Sequence, residues 1–180
     1  MALSATVYVF TVRLADADRN VHETLTLRVA RHPSESAEYL LTRVLAYCLE
    51  YTAGITFSKG LADPDEPAIV VRDLTGALRS WIDIGNPEAG RLHKAGKAAP
   101  QVVVYVHRDL ETWMARLGEA RIHRAPELKI VALDPALLAT LSSRLERRME
   151  LDLSVSEGAL YIALGGETLA STLQLRRLAS

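Results

Sequence analysis

Residues Val102 to Val106 read Val-Val-Val-Tyr-Val, an unbroken apolar run with no polar alternation. A strand of this kind has no face to offer water. It belongs in the middle of a sheet that is covered on both sides. Leu128 to Leu133 is a second apolar strand run. Between and around them lie segments with helical spacing. One begins at Arg31-His32-Pro33-Ser34-Glu35 and runs to about Tyr51, with Leu41, Val44, Leu45 and Cys48 as its apolar stripe and Glu35, Glu38, Thr42 and Arg43 off it. Others follow from Pro87 to about Ala99, Asp109 to Ala120, and Pro135 to about Arg144. The expected fold class is therefore α/β: a mixed sheet with helices on both faces.

The two ends of the chain read differently. Ala5 to Leu14 and His22 to Ala30 alternate apolar and polar residues around a polar turn, which predicts an antiparallel hairpin. Met149 to Ser156, Ala159 to Leu164 and Thr168 to Leu175 read as strands, with Glu157-Gly158 and Gly165-Gly166 as turns. These terminal hairpins add an antiparallel β portion to the mixed sheet. With 180 residues and no linker or repeat, a single domain spanning 1–180 is the simplest division.

Composition narrows the function classes. Hydrophobic residues make up 49% and the formal net charge is -1, so any nucleic-acid contact must come from a local patch. Cys48 is the single cysteine, which rules out an internal disulfide and suits a reducing compartment. The N-terminal residues are strand-like and lack the pattern of a signal peptide, and no apolar run approaches a membrane span. A cytoplasmic protein with no membrane partner is expected. The five histidines show no metal-ligand spacing, and no nucleophile-elbow, dinucleotide or P-loop motif is present.

Chemistry concentrates between Lys59 and Lys97. Ala68 to Arg72 and Leu78 to Ile84 flank Leu74-Thr75-Gly76-Ala77, which predicts a β-hairpin. A turn centred near Gly76 sets Asp83 opposite Ile69 and Pro67 opposite Gly85, so Asp65 and Glu66 lie just beyond the hairpin mouth. Carboxylates gathered there repel one another unless a cation lies between them. Mg²⁺ suits such oxygen ligands and can activate water and stabilise charge on a phosphate. The bland alternative is a solvated acidic loop and a half-exposed strand aspartate. Arg91, His93, Lys94 and Lys97 follow on a helix, either to grip phosphate or as a solvated basic face. Lys59, beside Gly60, is a further candidate cation. Asp73 is explained by turn chemistry.

Several segments together resemble the YaeQ family of bacterial proteins: the N-terminal MALSATVYVF, Ala30 to Glu35, Lys59-Gly60-Leu61 followed by Asp65-Glu66-Pro67, and Trp81-Ile82-Asp83-Ile84-Gly85-Asn86-Pro87. The resemblance implies a variant of the PD-(D/E)XK nuclease-like fold, with a core at about residues 33–106. It further implies that Asp65 or Glu66 stands for the first metal-binding acid and Asp83 for the second. Glu35 on the first helix stands for an extra acid. Together these would make a Mg²⁺-dependent (or Mn²⁺-dependent) nuclease-like protein acting on phosphodiester bonds of DNA or RNA. Two departures accompany it. Gly85 stands where that superfamily carries a lysine, leaving Lys59, Arg91, Lys94 or Lys97 to neutralise the phosphate. Asp83 is one methylene shorter than the glutamate associated with its position. The alternative is a catalytically inactive nuclease-fold module that binds nucleic acid or a protein partner.

Overall fold

The computed structural model describes residues 4–58 and 65–178. The chain begins with a hairpin, β1 (Thr6–Asp16) and β2 (Val21–Arg31), followed by α1 (Ala37–Leu49). A meander follows: β3 (Ile55–Phe57), β4 (Ile69–Arg72) and β5 (Leu78–Ile84). Next come α2 (Ala89–Ala98), β6 (Gln101–Val106), α3 (Leu110–Gly118), β7 (Lys129–Ala132) and α4 (Pro135–Ser143). The chain ends with β8 (Arg148–Ser156), β9 (Ala159–Leu164), β10 (Glu167–Thr172) and β11 (Gln174–Arg176).

Among the described residues these strands form two sheets. One is six-stranded in the order β11-β7-β6-β5-β4-β3, the other five-stranded in the order β10-β9-β8-β1-β2. In the first, β5, β6 and β7 run parallel, while β3, β4 and β11 are antiparallel to their neighbours. The second joins the two terminal hairpins through a parallel β1–β8 pair, Val9 against Arg148 to Asp16 against Val155. The expected antiparallel portion is thus a separate sheet, mixed at its centre.

Packing explains the layering. One core cluster gathers Phe10, Val12 and Leu14 of β1, Leu151 and Leu153 of β8, the apolar residues of α1 and α4, and Ile69, Ile82, Val103 and Tyr105 of the six-stranded sheet. Helices α1 and α4 therefore lie between the two sheets. A second cluster packs Trp81, Val104 and Ile130, from the opposite face of the six-stranded sheet, against Leu92 of α2 and Trp113 and Leu117 of α3. The apolar run through β6 is covered on both faces, as its sequence requires: Val103 and Tyr105 point to one cluster, Val102, Val104 and Val106 to the other.

Two expectations need correction. Helix α1 starts at Ala37, capped by the Ser36 hydroxyl, which accepts from Tyr39 N. Pro33 and Glu35 therefore precede it in a turn where Glu35 N donates to His32 O at 2.9 Å. Thr42 and Arg43, off the apolar stripe, are nonetheless buried at 0% and 3% exposure, because a helix between two sheets has little wet face. The last predicted strand is two strands, β10 and β11, which join different sheets.

Candidate functional site

The β4–β5 hairpin forms as its alternation predicts, with the register shifted by one. Ile69 pairs with Ile82, and a bulge between Val71 and Arg72 sets Arg72 against Leu78. At the turn, the Asp73 carboxylate accepts from Thr75 N at 2.9 Å and Ala77 N at 3.1 Å, the aspartate turn chemistry expected of it.

β5 is a central strand, and Ser80 to Ile84 are all buried. Side chains alternate, so Trp81 and Asp83 share the face toward α2, while Ile82 and Ile84 face α1. Asp83 is 3% exposed. A carboxylate at that depth needs partners, and it has them. Arg91 Nε donates to Oδ2 at 2.8 Å and Nη2 to Oδ1 at 3.0 Å, while the Trp81 indole N–H donates to Oδ2 at 3.0 Å. Arg91 also stacks over the Trp81 ring, 5.5 Å from its centroid. The Asp83 carboxylate in turn holds the guanidinium charged, above the usual arginine range.

Arg91 reaches further. Its Nη2 donates to the Glu66 carbonyl at 2.7 Å, tying the acidic loop to the hairpin mouth. One turn along α2, Lys94 Nζ donates to Asp65 at 2.6 Å. That bond is the main reason the Asp65 carboxyl lies below the ordinary aspartate range. Asp65 and Glu66 thus come to the mouth beside Asp83, as the spacing suggested, with basic residues of α2 between them. Lys97, also on α2, is exposed and makes no ion pair among the described residues. Lys59 lies outside the described residues.

Glu35 is engaged by partners of its own. It is 4% exposed, and its Oε2 accepts from Arg43 Nη2 at 3.0 Å while Oε1 accepts from His32 N at 3.3 Å. It is a buried ion-pair partner below the start of α1. Tyr39, between this pair and the Asp83–Arg91 pair, has its hydroxyl pushed up by burial, with the charges of Arg43, Glu35, Asp83 and Arg91 acting on it.

The fit to Mg²⁺ can be tested on this donor set. Mg²⁺ demands near-octahedral oxygen ligation. Both oxygens of Asp83 are occupied by N–H donors, and Asp65 holds an ammonium. Among the described residues no three His, Cys, Asp or Glu side chains group to hold a metal ion. As arranged, Asp65, Glu66 and Asp83 do not fit the ion, which would have to displace Arg91.

Beyond Lys97 the cationic face continues across a tight contact. A Cβ at Gly96 would meet His123 O at 2.6 Å, so only glycine lets that loop approach. Arg124 donates to Gly96 O at 3.0 Å and to Ala99 O at 2.6 Å, and His123 N donates to His93 Nδ1 at 3.0 Å. His93 is held below the usual histidine range by partial burial first, then by Lys97, His123 and Arg121. Reasoning from α2 alone missed Arg121 and His123, because nothing local in residues 118–127 marks their return to α2.

A YaeQ family model matches residues 1–173. The chain belongs to the YaeQ family. A YaeQ protein of Escherichia coli (strain K12) is 32% identical over 165 residues, 91% of each chain. A YaeQ protein of Salmonella typhi shows the same identity and coverage. The crystal structure of YaeQ from Xanthomonas axonopodis pv. citri superposes with a TM-score of 0.89 at 30% identity, covering 98% of this chain and 100% of that one. YaeQ from Pseudomonas syringae gives 0.86 at 28% identity, covering 98% and 97%. The YaeQ match spans every element from β1 to β10, and with them Glu35, Asp83, Arg91 and Lys97.

Proposed function

We propose that this chain is a nucleic-acid-binding module on a nuclease-like core, gripping the phosphate backbone without cutting it. The observation that carries the reading is the Arg91 guanidinium seated on both oxygens of Asp83. An acid held this way already carries N–H donors on both oxygens, so a divalent ion would have to compete with Arg91, and breaking the pair strands a buried charge. What α2 offers outward is positive. Lys97 is exposed, and Lys94 engages Asp65 only in an exposed pair, a kind worth little. Arg121 extends the same face, beside His93 and His123. A local basic patch of this kind supports phosphate contact despite a net charge of -1.

The test is binding of labelled duplex, single-stranded and branched DNA, and of RNA, in EDTA, against salt. Binding that weakens steeply with salt is expected, since each neutralised phosphate releases counterions. Replacing Lys97 and Arg121 by Ala should flatten that dependence. Absence of binding to every probe overturns the reading.

A second reading has one observation in its favour: Arg91 joins the Glu66 carbonyl and the Asp83 carboxylate, so both candidate acid positions meet at one point. It is metal-dependent phosphodiester cleavage with Mg²⁺ or Mn²⁺. Cleavage of the same probes that needs both the metal and Asp83 would replace the first reading with this one.

A further inference from the structure

The parallel strands β6 and β7 end side by side, and the chain leaves them toward α3 and α4. Crevices beyond the carboxyl ends of parallel strands are where open α/β sheets bind ligands. Here the crevice is a cleft of about 350 Å³, within the range of small-molecule sites. His107, Arg108 and Asp109 line it from β6, Asp134 from β7, and Ser171 and Thr172 from β10. We propose that this cleft binds a small phosphomonoester with a hydroxyl-bearing organic part.

His107 is the first reason. It is 9% exposed, lines the cleft, and makes no hydrogen bond among the described residues. Its ring is held by an edge contact with Tyr39, centroids 6.4 Å apart at 85°. Its ring nitrogens have no protein partner among the described residues and stay reachable from the cleft, so they are open to a ligand that enters it.

The two helix starts beside it differ, and that is the second reason. At α4 the Asp134 side chain accepts from Ala136 N at 2.9 Å, so this terminus is capped from within. At α3, Asp109 is left-handed, with φ 54°, and its side chain caps nothing. The first-turn N–H groups of α3 therefore have no capping side chain among the described residues, and helix starts favour anions. Arg108 supplies the matching charge: it lines the cleft and makes no ion pair among the described residues, and a guanidinium fork suits phosphate. Ser171 and Thr172 line the same cleft from β10. The Asp109 carboxylate, left without a cap to serve, is placed to accept hydroxyls of the organic part. The acids here do not group with His107 into a three-ligand metal site. None of Asp83, Arg91 or Lys97 lines this cleft, so the site is separate from the basic face of α2.

The test follows the His107 imidazole resonances of the full chain by NMR during titration with ribose 5-phosphate, with ribose as the control. A saturable shift with the phosphate ester and none with ribose is expected. Arg108→Ala should weaken the response about tenfold or more, the loss of one charge-assisted bond. Lys97→Ala should leave it unchanged. Arg108 is exposed, so its variant should fold. His107 signals unmoved at millimolar ester, an equal response to ribose, an undiminished response in Arg108→Ala, or loss of the response in Lys97→Ala would each overturn the proposal.

Discussion

Arg91 of α2 holds both carboxylate oxygens of Asp83 on β5, at 2.8 Å and 3.0 Å. The Asp83 side chain is 4% exposed and that of Arg91 27%, so removing the arginine strands a buried anion with only the Trp81 indole N–H. Arg91→Ala should cost about 3 kcal/mol, the lower end for a broken buried pair because Arg91 keeps some solvent. Urea unfolding measures it. Arg91→Lys, which keeps the charge but loses the fork, should fall between. A loss within about 0.5 kcal/mol, typical of a surface change, contradicts the assignment.

Glu35 and Arg43 form a second buried pair, with side chains 1% and 4% exposed. Arg43 Nε has no hydrogen-bond partner among the described residues, and burial lowers the guanidinium below its usual range. Glu35→Ala should therefore destabilise by about 3–5 kcal/mol while leaving nucleic-acid affinity per folded molecule unchanged. A Glu35 variant that folds normally but binds differently would return this residue to the functional site.

Cys48 is 0% exposed on α1, and burial pushes its thiol up to about 12. The thiolate is the reactive form, so native protein should resist iodoacetamide at neutral pH and react only on unfolding. Rapid alkylation of the folded chain contradicts this. The sign for stability is clear: the unfolded thiol ionises near 9.0, the native one near 12, so this contribution is present below pH 9.0 and is lost as pH rises toward 12.

His107 gives the opposite pH behaviour. Burial first, then Arg108, hold its imidazole below the ordinary histidine value of 6.5, with Glu38 and Asp109 opposing. The Tyr39 ring packs against it. As pH falls below 6.5, the unfolded imidazole takes up a proton before the native one does. Stability from this group is present above 6.5 and declines as pH falls toward the native value. Unfolding midpoints at pH 7.5 and 5.5 should differ less in His107→Gln than in the parent chain; an equal difference contradicts the assignment.

Legibility followed sequence distance. The β4–β5 hairpin, the Asp73 turn and the doubly covered β6 strand were readable because alternation and turn residues act locally. The burial of Arg43 was not readable, because what surrounds it comes from other elements: the Ala30 carbonyl of β2, Glu35 and the Phe57 ring of β3. Glu35 looked like a helix residue because Pro33 resembles a first helical position, whereas the Ser36 hydroxyl sets the true start. Carboxylates and cations were correctly expected to meet at the hairpin mouth. That Arg91 would engage both oxygens of Asp83 was not readable, since spacing says which groups are near but not which of them bond. His107 carried no motif, and its cleft exists only where strand ends and β10 converge.

The most direct measurement incubates labelled DNA and RNA with the chain in Mg²⁺ and in EDTA, and reads bound fraction and strand integrity together. A module that binds without cutting should give binding that weakens steeply with salt, is indifferent to EDTA, is reduced by replacing Lys97 and Arg121, and leaves every strand intact. Strands cut in Mg²⁺ but not in EDTA, and spared by Asp83→Asn, would contradict it, as would probes that remain unbound at low salt.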